Sequence, residues 1–138
     1  VDARRTMRRR PAGPTAGDRG SVSIQMVILL PALFLLMFLG MQAALAYQAR
    51  TLTLAAAEEG ARDAAAEHGT AAAGAATAEA FLAASTAGLN GVSAVGQRTP
   101  TTATVTVRAT SLSVLPGWTP TITQSASMPV EKITVMVR

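Results

Sequence analysis

The longest uninterrupted apolar stretch of the chain lies near its start. No charged residue occurs between Arg19 and Arg50. Within that window Val27 to Ala46 reads VILLPALFLLMFLGMQAALA, broken only by Pro31, Gly40 and Gln42. A helix needs about 20 consecutive apolar residues to cross the hydrocarbon core of a bilayer. A helix packed on a small soluble domain would show a polar stripe instead, and none shows before Gln42. The pattern therefore predicts a transmembrane helix over 20–49. Pro31 removes one backbone hydrogen bond, a loss that membrane helices tolerate. Tyr47 and Arg50 stand where an interfacial ring and a snorkelling cation belong.

The helical pattern continues beyond the apolar run to about His68. The segment AAAEEGARDAAAEH favours helix strongly, and Glu58 and Arg62 have the spacing of a supportive surface pair. Gly60 is a local weakness, about 1 kcal/mol relative to alanine. A helix from 21 to 68 would be about 70 Å long, so residues 50–68 form an extension beyond the bilayer. Gly69-Thr70 breaks it, and AAAGAAT reads as a connector. Thr77 is then the expected cap of a second helix, TAEAFLAAST, anchored by Phe81 and Leu82 and ended by Gly88.

The period changes to two in the last third. Leu89 to Val95 suits a short strand. From Thr101, Val105 and Val107 alternate with Thr104, Thr106 and Arg108, with Leu112 and Val114 as a continuation past a bulge or bend. Leu115-Pro116-Gly117-Trp118 reads as a turn. A return strand is expected from about Thr121 to Met128, and a last one through Ile133, Val135 and Val137. Residues 69–138 thus form an exposed α+β region. The expected fold class is α+β: a long N-terminal transmembrane helix extending out of the membrane, a short second helix and a small antiparallel sheet.

Composition narrows the chemistry. Hydrophobic residues make up 49% of the 138, but aromatics only 4%. Much of the apolar share is alanine, so a large soluble core is not expected, while the positive mean hydropathy excludes a disordered polar chain. The absence of Cys removes disulfide scaffolds, thiolate metal sites and thiol catalysis. A single His removes multi-histidine metal sites. The net charge of +4 belongs entirely to residues 1–19, where six arginines face Asp2 and Asp18. That segment reads as a disordered basic leader, and Met7, followed by three arginines, is an alternative start to Val1. Nucleic-acid binding is not expected, because it calls for basic residues spread over a folded face. By the positive-inside rule the leader stays cytoplasmic and the C-terminal region lies outside. Ala44-Leu45-Ala46 matches a signal-peptidase pattern, so the alternative is a small secreted protein released after Ala46.

Enzyme signatures are absent, and neither a cofactor nor a metal is expected. Glu59, Asp63 and Glu67 share one helix face, which suits solvation better than a cation site. His68 suits the negative end of a helix. No nucleophile elbow or phosphate-binding glycine loop occurs. Trp118 reads as a turn residue covering the sheet rather than a binding aromatic. Gly40 and Ala44 form a small-xxx-small pair that would permit close helix packing.

The run Asp18-Arg19-Gly20-Ser21-Val22-Ser23-Ile24-Gln25-Met26, followed by Leu29-Leu30-Pro31, resembles the N-terminus of the TadE-like pilus assembly proteins, minor pilin-like components of the Tad/Flp pilus system. Ala55-Ala56-Ala57-Glu58-Glu59-Gly60-Ala61-Arg62 resembles the A-x-E-G-A-R segment that follows the span in that family. The resemblance covers about residues 18–65. It implies a non-enzymatic membrane protein that works through contacts with other pilus or secretion-system proteins and can self-associate. It also implies a prepilin peptidase acting at the Gly20–Ser21 bond, which would remove the leader and leave the anchor. Pilin-like proteins usually carry Glu five residues after the cut, and here Gln25 stands there. Gln25 can hydrogen-bond to a neighbouring subunit's amine but cannot neutralise it. This departure counts more against filament incorporation than against anchoring, and points to an accessory or assembly-platform role or to a divergent paralogue.

Overall fold

The computed structural model describes residues 16–85 and 88–132, with side chains from Ser23 onward. The chain divides into two compact units, Val1–Met37 and Phe38–Arg138. The elements run in the order α1 (Ala16–Ala65), α2 (Ala71–Ala84), β1 (Asn90–Arg98), β2 (Thr102–Thr110) and β3 (Thr121–Pro129). The fold class is α+β, as the sequence pattern implies.

Helix α1 starts at Ala16, ahead of the start expected at Ser21, so Ala16–Arg19 are helical. Ala16 is a strong helix former and Asp18 sits where the helix dipole favours an anion. Residues 1–15 of the expected leader lie outside the described residues. In the first unit, α1 exposes its large apolar side chains, from Ile24 through Met37. It contains a helix long and apolar enough to cross a membrane.

In the second unit α1 ends at Ala65, three residues short of His68. The terminus is enforced from a distance. Arg98 at the end of β1 donates from Nη1 to the carbonyls of Ala64 and Ala66, at 2.8 and 3.0 Å, and to that of Gly69. The Glu131 N–H takes the Ala65 carbonyl at 2.9 Å. The Ala64 and Ala65 carbonyls are among those that a helix end leaves without intrahelical partners, and those of Ala66 and Gly69 belong to the turn that follows.

Helix α2 starts earlier than expected. Its N-cap is Thr70, whose Oγ1 accepts from the Ala73 N–H at 3.0 Å. Thr77 is not a cap but lies inside the helix, where its hydroxyl donates to Asp63 Oδ2 at 2.7 Å. The segment AAAGAAT is helix, because alanine favours it and Gly74 is buried against α1. Replacing Thr70 with alanine removes this cap. Its expected cost is about 1 kcal/mol, to be read as a lower unfolding midpoint with unchanged helix content in the folded state.

The three strands form an antiparallel meander in the order β1-β2-β3. β1 runs to Arg98, beyond the expected end at Val95, with a register shift between Asn90 and Ser93. Gly91 there has φ +58°, in the left-handed region that glycine enters freely. β2 is central and alternates as its sequence predicts. Ala103, Val105, Val107 and Ala109 are fully buried. On the other face Thr104 pairs with Ser127 at 2.7 Å and Thr106 with Ser125 at 3.0 Å. Ala56, Ala57, Ala61, Ala64, Ala65, Ala78 and Leu82 complete the core. Phe81, the other expected anchor, is exposed.

Leu112 and Val114 do not continue β2. The strand stops at Thr110, Ser111 N–H pairs with the Pro120 carbonyl at 3.0 Å, and the chain between them is drawn onto α1. The turn expected at 115–118 is present, with Gly117 at φ +79° and Trp118 N–H toward the Leu115 carbonyl at 3.4 Å. The last expected strand, 133–137, lies outside the described residues.

Candidate functional site

Two places in the second unit combine unusual residues with specific contacts. The first is the crossing of α1 and α2. Gly60 of α1 and Gly74 of α2 bring the two backbones together. A Cβ added at Gly60 would stand 2.5 Å from the Gly74 carbonyl oxygen and 2.9 Å from the Ala78 Cβ. A Cβ at Gly74 would stand 2.6 Å from the Ala64 Cβ. Neither position has room for one. Beside Gly60, Ala61 is fully buried, and Glu59 and Arg62 form an exposed ion pair at 2.7 Å. The segment Glu59-Gly60-Ala61-Arg62 thus supplies a backbone-close crossing, a core alanine and a surface pair within one turn. Gly60, a weak point by local propensity, is a requirement of tertiary packing.

The face shared by Glu59, Asp63 and Glu67 is divided among separate tasks. Glu59 pairs with Arg62. Asp63 accepts from Thr77 across the crossing. Glu67 lies beyond the helix end, 3.8 Å from His68 Nδ1. Among the described residues no three His, Cys, Asp or Glu side chains gather as metal ligands. His68 sits in the turn after α1 rather than in its last turn, with its side chain almost fully exposed.

The second place is Gln42. Flanked by exposed apolar residues, it is itself 1% exposed. Its Oε1 accepts from the Val114 N–H at 2.9 Å and from the Ser113 hydroxyl at 3.2 Å. One turn on, the Leu45 carbonyl faces the Ser111 hydroxyl at 3.5 Å. The connection between β2 and β3 is thereby fixed to α1. The Gln42 Nε2 is buried without a hydrogen-bond partner, an uncommon condition for a buried amide. In the sequence Gln42 reads only as an interruption of the apolar run. Its partners lie more than seventy residues away, so no local pattern announces them.

The remaining expected positions lie along α1. Gly20 and Ser21 are within the helix backbone, and Gln25 is exposed. Gly40 has open space where a Cβ would stand, and Ala44 is exposed. Trp118 is 50% exposed rather than buried over the sheet.

Residues 20–62 match a family model described as TadE-like protein. The match begins at the Gly20–Ser21 bond and ends on Arg62, so it takes in the apolar helix and the E-G-A-R segment at the α1–α2 crossing. It bears out the resemblance carried by those residues. No curated protein and no solved structure matches the chain.

Proposed function

We propose that this chain is a non-enzymatic, single-pass membrane component of a Tad/Flp-type pilus or a related secretion machine, a TadE-like minor pseudopilin acting through protein–protein contacts. The observation that carries the reading is the family match over residues 20–62, which coincides with a helix long and apolar enough to cross a membrane. The basic segment before the span argues for a cytoplasmic N-terminus and an extracytoplasmic C-terminal region. A prepilin peptidase cutting between Gly20 and Ser21 would remove that basic segment and leave the anchor.

Release after Ala46 is the less favoured alternative for a structural reason. It would take away Gln42 and Leu45, whose oxygens hold the β2–β3 connection. The deciding measurement is the N-terminal sequence and intact mass of the protein from membrane and medium fractions. A membrane-bound form starting at Ser21 is expected, together with loss of assembled pili on deletion of the gene. A soluble form starting at Tyr47 would overturn the reading.

A further inference from the structure

We infer that the outer edge of β3 is the docking site of the chain's own segment 133–138, which returns along it as an antiparallel strand and closes the sheet to strand addition by neighbouring proteins. The inference concerns the second unit alone and does not depend on the membrane reading.

The β2–β3 ladder fixes which backbone groups of β3 face outward. Val130 N–H donates to the Thr101 carbonyl at 2.9 Å, and Ser111 N–H to that of Pro120 at 3.0 Å. Both bonds continue the β2–β3 register, and hydrogen-bonded pairs alternate along an antiparallel ladder. Ile122, Gln124, Ala126 and Met128 therefore turn their backbone groups toward β2. Thr121, Thr123, Ser125 and Ser127 turn theirs away. The hydroxyl contacts Thr104–Ser127 and Thr106–Ser125 agree, since side chains approach most closely at the pairs without backbone bonds. Among the described residues none takes the outward backbone groups of β3.

An open edge is ordinarily blunted by charge, a bulge or a covering element. The β1 edge is covered. Glu79 of α2 accepts the Ala94 N–H at 3.0 Å, and Gly96 lies so close to the Ala71 carbonyl that a Cβ has no room. β3 has no such device along its length. Thr121–Pro129 contains no charged residue, and its register is continuous. Its core-facing row is also incompletely covered. Ile122, Gln124, Ala126 and Met128 are half-buried, whereas Ala103, Val105, Val107 and Ala109 beside them on β2 are fully buried.

Segment 133–138 has the chemistry and the position to fill both gaps. Ile133, Val135 and Val137 alternate with Thr134, Met136 and Arg138, so a strand there has one aliphatic face. The chain is held at the end of the sheet as far as Glu131, whose N–H donates to the Ala65 carbonyl, and Ile133 follows by two residues. Six extended residues reach about 20 Å, about the stretch from Ser127 back to Thr121. Ile133, Val135 and Val137 would then extend the core-facing row, and Thr134 and Met136 would offer their N–H and C=O groups to β3. A strand from a second copy is the competing occupant. It must give up translational and rotational freedom to reach this edge, whereas the adjoining segment closes only a short loop.

Residue-resolved amide hydrogen exchange of the detergent-solubilised full chain tests the inference, with the Val105 and Val107 amides reporting the ladder to β3. In the unaltered chain the Thr123, Ser125 and Ser127 amides are expected to be protected, independently of protein concentration. Met136→Pro removes a central donor and is expected to speed their exchange at least about tenfold, by freeing that edge alone, with Val105 and Val107 unchanged. Rapid exchange of the three amides in the unaltered chain, with Val105 and Val107 protected, would overturn the inference. So would protection that disappears on dilution, which would assign the edge to a second copy, or protection that persists in Met136→Pro. Should that variant unfold, the unaltered chain still decides: nuclear Overhauser contacts between residues 134–138 and Thr123–Ser127 are expected, and their absence would overturn the docking.

Discussion

Gly60→Leu is expected to prevent the second unit from folding. The smallest possible side chain at this position already places its Cβ 2.5 Å from the Gly74 carbonyl oxygen and 2.9 Å from the Ala78 Cβ. Neither neighbour is the movable end of a flexible side chain: one is backbone, the other a methyl fixed to a helix. Val105 stands on the third side at 3.2 Å, itself fully buried in the central strand. Relief therefore requires the two helices to separate, which would open the alanine core on both sides of the crossing. Overpacking of this kind costs about 1–3 kcal/mol for modest insertions, and leucine asks for more than that. Native domains have only about 5–15 kcal/mol in total. Gly60→Ala makes the graded comparison. Local propensity alone predicts a gain of about 1 kcal/mol, whereas the crossing predicts a net loss. Circular dichroism during urea denaturation of the detergent-solubilised full chain distinguishes them. A more stable Gly60→Ala would show that the helices do not meet there.

Arg98→Met is expected to produce the second large effect. The guanidinium serves three carbonyls through Nη1 and reaches a fourth, that of Glu67, at 3.4 Å through Nη2. Methionine fills similar volume but donates nothing. The Ala64 carbonyl at the end of α1 and the Glu67 and Gly69 carbonyls of the turn after it would then lose this donor, while the Ala66 carbonyl would keep the Gly69 N–H. Each such loss costs about 1–3 kcal/mol, and the shared donor makes the losses simultaneous. A destabilisation of about 2–3 kcal/mol corresponds to a melting temperature lower by roughly 10–20 °C for a unit of this size. Lysine should not restore it, since a single ammonium lacks the planar fork that spans several oxygens. Amide hydrogen exchange would show faster exchange in the last turn of α1 and in residues 66–70. Unaltered protection there would refute the assignment.

The long apolar helix, the alternating central strand and the E-G-A-R segment were all legible in the sequence, because each is written in local periodicity or in consecutive residues. Val105 and Val107 declare a buried face by spacing alone. What stayed hidden depends on distant partners. Thr77 has the composition of a cap, yet its hydroxyl goes to Asp63, and the actual cap seven residues earlier precedes a segment that looks like a linker. Arg98 looks like any strand-end cation until the end of α1 is brought beneath it. Leu112 and Val114 fit a strand by alternation, but the Val114 N–H is taken by Gln42 instead of a ladder partner. In each case a side chain competed with regular structure for a backbone group, and single-sequence patterns do not show who wins.

The alanine-lined interior also constrains how this protein can change. A core of leucine and phenylalanine can drift through many combinations that trade volume between neighbours. Here Ala56, Ala57, Ala61, Ala64, Ala78 and Ala103 have no exposed surface, and the two glycines at the crossing are smaller still. An alanine has no volume to give up except its single methyl, so an enlargement at one position cannot be matched by a reduction at the next. Natural variation inside the second unit is therefore expected to be nearly frozen, with sequence divergence confined to the outer strand faces and the exposed apolar part of α1. Lineages of this protein would differ in what they show to their surroundings while sharing an interior that has almost nowhere to go.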